Sequence, residues 1–220
     1  MSIELIALRL GIVKANAYFV ADAETKNAVL IDAVDEGDLI VKTATDRGWT
    51  IKLMIATHAH FDHVLASARV KELSGAPFLI HSDAAEKLKN LPETGIRFTG
   101  HRFPEAAMPD RILTTESETI SLDSMTFETL YTPGHAPGHL SLYMPNERVV
   151  FSGDALFAGS VGRTDFPEMS HEVLMNSIFD KLMPLDDDVR VFPGHGKPTT
   201  IGVERATNSF LLEWQQAQGR

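Results

Sequence analysis

The stretch ATHAHFDHV, residues 56–64, places His58, His60, Asp62 and His63 within six positions, directly behind the apolar run KLMI. The whole chain holds only nine histidines, so this concentration asks for a reason. On one helix, His58 and Asp62 would share a face while His60 pointed almost opposite. At the end of a strand running through LMIATHAH, His58 and His60 project to the same side, because strand side chains alternate with period two. Asp62 and His63 then fall where the chain turns into the next helix. A surface loop would account for any single histidine. Four nitrogen and oxygen donors just past a buried strand are instead the ligand set of zinc, and equally of iron or manganese.

Three downstream segments repeat that grammar: YTPGHAPGH (131–139), VVFSGDALF (149–157) and VFPGHGKP (191–198). In each, an apolar strand runs into Gly or Pro-Gly and then meets His135, Asp154 or His195. Glycine lets the backbone turn sharply and deliver the side chain to a cavity at the strand ends. The resulting seven donors, His58, His60, Asp62, His63, His135, Asp154 and His195, exceed what one tetrahedral ion takes. They suit two metals sharing a carboxylate, a bridging part that Asp154 can play. Two adjacent cations sharing a hydroxide give a nucleophile at neutral pH and a Lewis acid for a carbonyl. The expected chemistry is hydrolytic.

Composition frames this reading. With 220 residues, 44% of them hydrophobic and 23% charged, the chain is expected to form one globular domain over residues 1–220. A formal net charge of −10 argues against a nucleic-acid or anionic-membrane partner. The chain has no cysteine, which excludes disulfides, thiolate metal sites and a cysteine nucleophile. No signal-peptide pattern and no membrane-length apolar run is visible, so the expectation is a soluble, cytoplasmic protein. Oligomeric state is not readable.

Along the chain, NAYFVAD and NAVLIDA flank a polar turn and predict a hairpin. Residues 36–47 predict a helix with Leu39, Ile40, Thr43 and Ala44 on one face and Gly48 as its stop. DHVLASARVKELSG predicts a single helix ending at Gly75, PFLIH a strand, and SDAAEKLKN a helix capped by its own Ser or Asp. Residues 92–118, with Pro92, Gly95, Gly100, Pro104 and Pro109, read as a long surface loop with short helical turns at most. TISLDS, MTFETLYT, HLSLYM, RVVFSGD and VRVFPGH read as strands. SHEVLMNSIFDKL and GVERATNSFLLEWQQAQ read as helices, with Leu174, Ile178 and Leu182 on one core stripe and Phe210, Leu211 and Trp214 on the other. Strand-rich halves that each end in helices predict a layered α/β domain.

The ordered set THAHFDH, TPGH, SGD and PGHG resembles the metallo-β-lactamase superfamily over nearly the whole chain. The resemblance implies a four-layer αβ/βα sandwich of two mixed sheets flanked by helices. It also implies two divalent ions, zinc first with iron or manganese as alternatives. His58, His60 and His135 would hold one ion, Asp62, His63 and His195 the other, and Asp154 both. Asp62 and Asp154 are the implied catalytic residues, Asp62 also accepting a proton from the attacking oxygen. The zinc β-lactamases of the main clinical class often use a cysteine on the second metal; its absence disfavours antibiotic hydrolysis.

FAGSVGRTDFP (157–167) and VFPGHGKPTTIGVERATNSFL (191–211) resemble the short glyoxalase II-like hydrolases, which cleave glutathione thioesters such as S-D-lactoylglutathione. Full-length glyoxalase II proteins carry a further helical domain, and this chain ends about where it would begin. The substrate this resemblance implies is a small molecule, a glutathione thioester such as S-D-lactoylglutathione or a related small thioester or ester. Family members usually read Asp-Pro-Gly where this chain has Asp32-Ala33-Val34, so a different local turn is expected there. GRTDF is also similar to persulfide dioxygenases, which use a single iron held by two His and one Asp; that is the alternative activity, on glutathione persulfide. A nuclease is disfavoured by the acidic chain, and a non-catalytic role by the complete donor set.

Outside that set, Asp32 at a strand end and His139 are read as groups that steady the ligands. Arg163 and Asp165 are expected to orient each other near the substrate mouth, and Lys197 and Arg102 are possible carboxylate contacts. His81, His101 and His171 are read as capping or surface residues.

Overall fold

The computed structural model describes residues 2–219. The chain divides into two compact units. One comprises the described residues up to Thr114 together with Ser121–Met125, the other Thr115–Ile120 and the described residues from Thr126 onward.

The first unit is built on a sheet whose strands follow chain order: β1 (Ile3–Leu10), β2 (Ala15–Asp22), β3 (Asn27–Ile31), β4 (Thr50–Ile55), β5 (Phe78–His81) and β6 (Arg111–Leu113). The predicted hairpin is β2–β3, antiparallel with Tyr18 opposite Ile31. Every residue of β2 is buried, which explains why its apolar run does not alternate. From β3 onward the pairing is parallel. Each return therefore needs a crossover, supplied by α1 (Gly37–Asp46), α2 (Phe61–Val64) with α3 (Ser67–Ser74), and α4 (Ser82–Leu88) with α5 (Leu91–Thr99). Phe19, Leu30, Ile40, Phe78 and Ile80 sit in its core, each stabilising the unit by about 1.5–3 kcal/mol relative to exposure.

Several local expectations need correction. β4 stops at Ile55, so His58 and His60 lie in a loop rather than on the strand. The single helix predicted from Asp62 to Gly75 is broken between α2 and α3, because the Ala66 N–H donates to Ala33 O at 2.9 Å instead of to a helix carbonyl. On α1, Ile40 and Ala44 are buried but Leu39 is exposed. The cap of α4 is neither Ser82 nor Asp83: the His81 side chain accepts from Asp83 N at 3.2 Å. The region read as a loop after residue 92 contains α5. Pro92 occupies its first turn, where no N–H is needed, and Gly100 closes it with φ +77. Gly95 sits inside it because a Cβ there would come within 2.6 Å of Phe103, where the chain folds back.

The second sheet, whose strands from Thr126 onward belong to the second unit, is ordered β14-β13-β10-β9-β8-β7 and formed by β7 (Thr119–Leu122), β8 (Met125–Tyr131), β9 (Leu140–Met144), β10 (Val149–Gly153), β13 (Arg190–Pro193) and β14 (Thr199–Thr200). A small hairpin, β11 (Leu156–Phe157) and β12 (Ser160–Val161), follows β10. Helix α6 (His171–Ser177) starts on a Ser170 cap and runs into a π-helical turn over Ile178–Leu182. Leu174, Ile178 and Leu182 are fully buried, as the stripe predicts. The closing helix is two, α7 (Ile201–Thr207) and α8 (Ser209–Ala217), parted at Asn208. The Asn208 side chain donates to Ser160 O and Glu204 Oε2 and accepts from Phe210 N. On α8, Leu211 is buried but Phe210 is exposed.

Candidate metal centre

In the first unit the donors gather at the carboxyl ends of β3 and β4. These strands are parallel, with Ile31 opposite Ile55, so the residues that follow, Asp32 and Thr57, emerge side by side. Asp32 is buried and adopts φ +58, a left-handed conformation that Asp tolerates better than most residues. Its Oδ1 accepts from Thr57 N at 2.7 Å, and its Oδ2 accepts from Thr57 Oγ1 at 2.9 Å and faces His63 Nδ1 at 2.8 Å. A carboxylate only accepts, so His63 Nδ1 carries a hydrogen, and in the neutral imidazole Nε2 keeps its lone pair. Nε2 lies 3.8 Å from Asp62 Oδ2. His58, fully buried, has Nδ1 3.0 Å from Thr57 Oγ1 and Nε2 3.0 Å from His60 Nδ1. Donor atoms of His58 and His60, of His58 and His63, and of Asp62 and His63 lie within 4.8 Å of each other.

The second unit uses the same device. Strands β10 and β13 are parallel, with Gly153 opposite Pro193. Gly194 N donates to Gly153 O at 2.7 Å, which keys the loop of His195 to that of Asp154. His135 Nε2 and His195 Nε2 stand 3.4 and 3.5 Å from the same atom, Asp154 Oδ2. The Nδ1 of His135 is held by the Arg163 backbone carbonyl at 2.9 Å. His139, buried, spans Thr132 Oγ1 at 2.8 Å and accepts from Asp154 N at 3.0 Å. The TPGH loop is pinned from behind: Ser177 Oγ donates to Pro133 O at 2.8 Å, and a Cβ at Gly134 (φ +124) would overlap the Leu174 backbone. A Cβ at Gly162 would likewise overlap the Asp154 carbonyl.

The donor chemistry fits divalent metal ions. In each unit a histidine has its outer nitrogen held by an acceptor while its other nitrogen points at neighbouring donors, the arrangement that orients metal-binding imidazoles. Arg163 and Asp165 form a two-bond ion pair, at 2.7 and 2.9 Å, on the surface. Each stabilises the other's charged form: the Arg163 guanidinium is pushed up, and Asp165 lies below the usual carboxylate range. Arg163 also stacks on Phe166, 4.3 Å from the ring centre. Lys197 is exposed. Arg102 is engaged by Glu93 at 2.7 Å. Sequence reading did not single out Thr57, Thr132 or the Arg163 carbonyl. Thr57 and Thr132 each stand beside a ligand motif, a weak signal; a backbone carbonyl leaves none.

Residues 10–195 match the Metallo-beta-lactamase superfamily, and the chain belongs to that superfamily. Within it, the chain is similar to the hydroxyacylglutathione hydrolase GloC of Haemophilus influenzae, 38% identical over 96% of this chain and 98% of GloC. Among solved structures it resembles BLEG-1, a B3 metallo-β-lactamase, with a TM-score of 0.89 and 35% identity over 94% of this chain and all but 1% of the other, which is 99% covered. It also resembles TTHA1623 in a di-iron-bound form, with a TM-score of 0.84 and 37% identity over 94% of this chain and 100% of that one. Family and His/Asp clusters together imply divalent metal ions as cofactor. Among the described residues no helix is long and apolar enough to cross a membrane.

Proposed function

We propose that the two units work as one domain whose donors form a single dinuclear centre, and that this centre hydrolyses a thioester of glutathione or a similar small thiol. His58, His60 and His135 would hold one ion, Asp62, His63 and His195 the other, with Asp154 shared. The observation that carries the reading is the matched support found in each unit: in the first, Asp32 on His63; in the second, the Arg163 carbonyl on His135, beside a buried carboxylate approached by two histidines. The likeness to GloC supports the substrate class. A cytoplasmic location, where small thiols are held reduced, suits that substrate.

Bound divalent ions supply a nucleophilic oxygen near neutral pH and Lewis acidity toward a carbonyl. The chain's own residues do the rest. Asp62, partly exposed beside buried His63, is placed to accept the proton released as water oxygen bonds to the acyl carbon. The carbon–sulfur bond then breaks, one proton of the water ending on the thiol and the other in solvent, leaving a carboxylate. No redox partner is needed. Asp32 and the Arg163 carbonyl hold the imidazoles in one tautomer throughout.

The test is hydrolysis of S-D-lactoylglutathione by protein loaded separately with zinc, iron or manganese, alongside Asp154→Ala. Turnover with two-metal protein, lost together with metal in Asp154→Ala, is the expected result. Full thioesterase activity and metal content in Asp154→Ala would remove the shared role of Asp154. Oxygen uptake on glutathione persulfide by iron-loaded protein, without thioester turnover, would replace hydrolysis by the dioxygenase reading. Faster opening of a β-lactam than of any thioester would instead favour the chemistry by which BLEG-1 is described.

A further inference from the structure

The first unit contains a cavity of about 250 Å³ with Asp62 on one wall. It is bounded by four pieces of chain: the β1–β2 turn with Ile12 and Val13, the loop after β3 with Val34 and Asp35, α2 and the residue after it with Phe61 and Leu65, and the end of α5 and the segment after it with Phe103. Phe61 anchors a cluster of rings, its centroid 5.3 Å from that of Phe103 and 5.9 Å from that of Phe98. Ile12 is 73% exposed and Phe98 57% exposed. Ile12 lines the cavity, while Phe98 lies outside the lining and packs on Phe61, which does line it; exposed large apolar side chains at and beside a cavity mark a ligand surface rather than a folding core.

Charge narrows the ligand. The lining carries Asp35, Asp62 and one histidine, His101, but no Lys or Arg. With Asp62 neutralised by the ion it would hold, the remaining wall offers Asp35 and no Lys or Arg, so the carboxylates of a glutathione-like thiol find no side-chain cation away from the metal. The acyl half of a thioester carries no charge and enters beside Asp62, next to the bond to be broken. A cavity of this size is below the range for whole ligands, roughly 300–1,000 Å³, and suits a substituent. On the thioesterase reading, on which this inference rests, we propose that the cavity is an acyl subsite. Its occupant is an apolar acyl group, branched or ring-bearing, and larger and less polar than lactoyl.

The experiment uses the metal-loaded full chain and a series of glutathione thioesters: D-lactoyl, propionyl, butyryl, hexanoyl and phenylacetyl. Burying one methylene favours the complex by about fourfold, so kcat/KM is expected to climb about fourfold per added carbon until the cavity is full. Phenylacetyl should exceed lactoyl at least tenfold. In Phe103→Leu and Ile12→Ala, both at lining positions, the phenylacetyl-to-lactoyl ratio should fall about fivefold or more; the exposure of Ile12 and the mild leucine change guard against misfolding. A flat series, or variants that leave the ratio intact, would overturn the subsite while the thioesterase reading stands. No turnover of any member would overturn the thioesterase reading, and the subsite with it.

Discussion

Asp32→Asn isolates one contact of the centre. Asparagine keeps the size of the side chain and tolerates the left-handed backbone at φ +58, so little strain is added. Its carbonyl can still accept from Thr57 N, the 2.7 Å bond. The amide NH2, however, now stands where Oδ2 accepted from Thr57 Oγ1 and His63 Nδ1. Two donors would face a donor. The relief is for His63 to move its hydrogen to Nε2 and accept at Nδ1, which blocks the nitrogen needed for a metal. Loss of a partner that orients a metal-bound histidine costs about 10–100-fold in metal affinity, or about 1.4–2.7 kcal/mol. The assay is zinc titration against a chromophoric chelator at fixed pH, with a thermal melt of metal-free protein to establish folding. A folded variant that binds both ions within threefold of the parent would refute the claim that Asp32 sets the His63 tautomer.

Other consequences can be measured alongside. His139→Ala leaves Asp154 N and Thr132 Oγ1 without their buried partner and should cost about 2–4 kcal/mol in chemical denaturation. Gly162→Ala forces the Asp154 carbonyl to move, whereas Gly159→Ala meets open space despite φ +75. The first should lose at least about tenfold in metal affinity by the same titration, and the second only about 1–2 kcal/mol of stability. The Asp22 carboxyl is held well below the usual carboxylate range, chiefly by the Ser124 hydroxyl and then by Thr25 and Glu24 N–H groups. A lowered folded-state value stabilises above the unfolded value, near pH 4, and that contribution is lost as pH falls through the folded one. Asp22→Asn should therefore flatten the acid side of a urea-midpoint profile below about pH 4. Removing metal with a chelator should lower stability by about 2.7 kcal/mol for each bound ion, about 5.4 kcal/mol for two, relative to protein held at a hundredfold excess over Kd, and readdition should restore it.

The candidate donors are legible in the chain because they are local: His58, His60, Asp62 and His63 fall within six positions, and His135, Asp154 and His195 each follow a strand and a glycine. Strand burial is also legible, since β2 and β10 carry unbroken apolar runs, AYFVA and VVF. What escaped was set by contacts distant in sequence. α5 hid behind Pro92, Gly95 and Gly100, residues that break helices in general but here fall at a first turn, a close approach and a cap. The break before α3 depends on the Ala33 carbonyl, and the orientation of His135 on the Arg163 carbonyl. Neither leaves a trace in residue type. The exposed faces of Leu39 and Phe210 show the same limit, because periodicity names a stripe but not its edges.

The most direct measurement is metal content per chain, by elemental mass spectrometry, on protein purified without chelator and then on the same protein reloaded with zinc. The account predicts about two divalent ions per chain after loading, with Asp154→Ala retaining clearly fewer. One ion at saturation, or none, in a folded chain would contradict the dinuclear centre on which the proposed reaction depends.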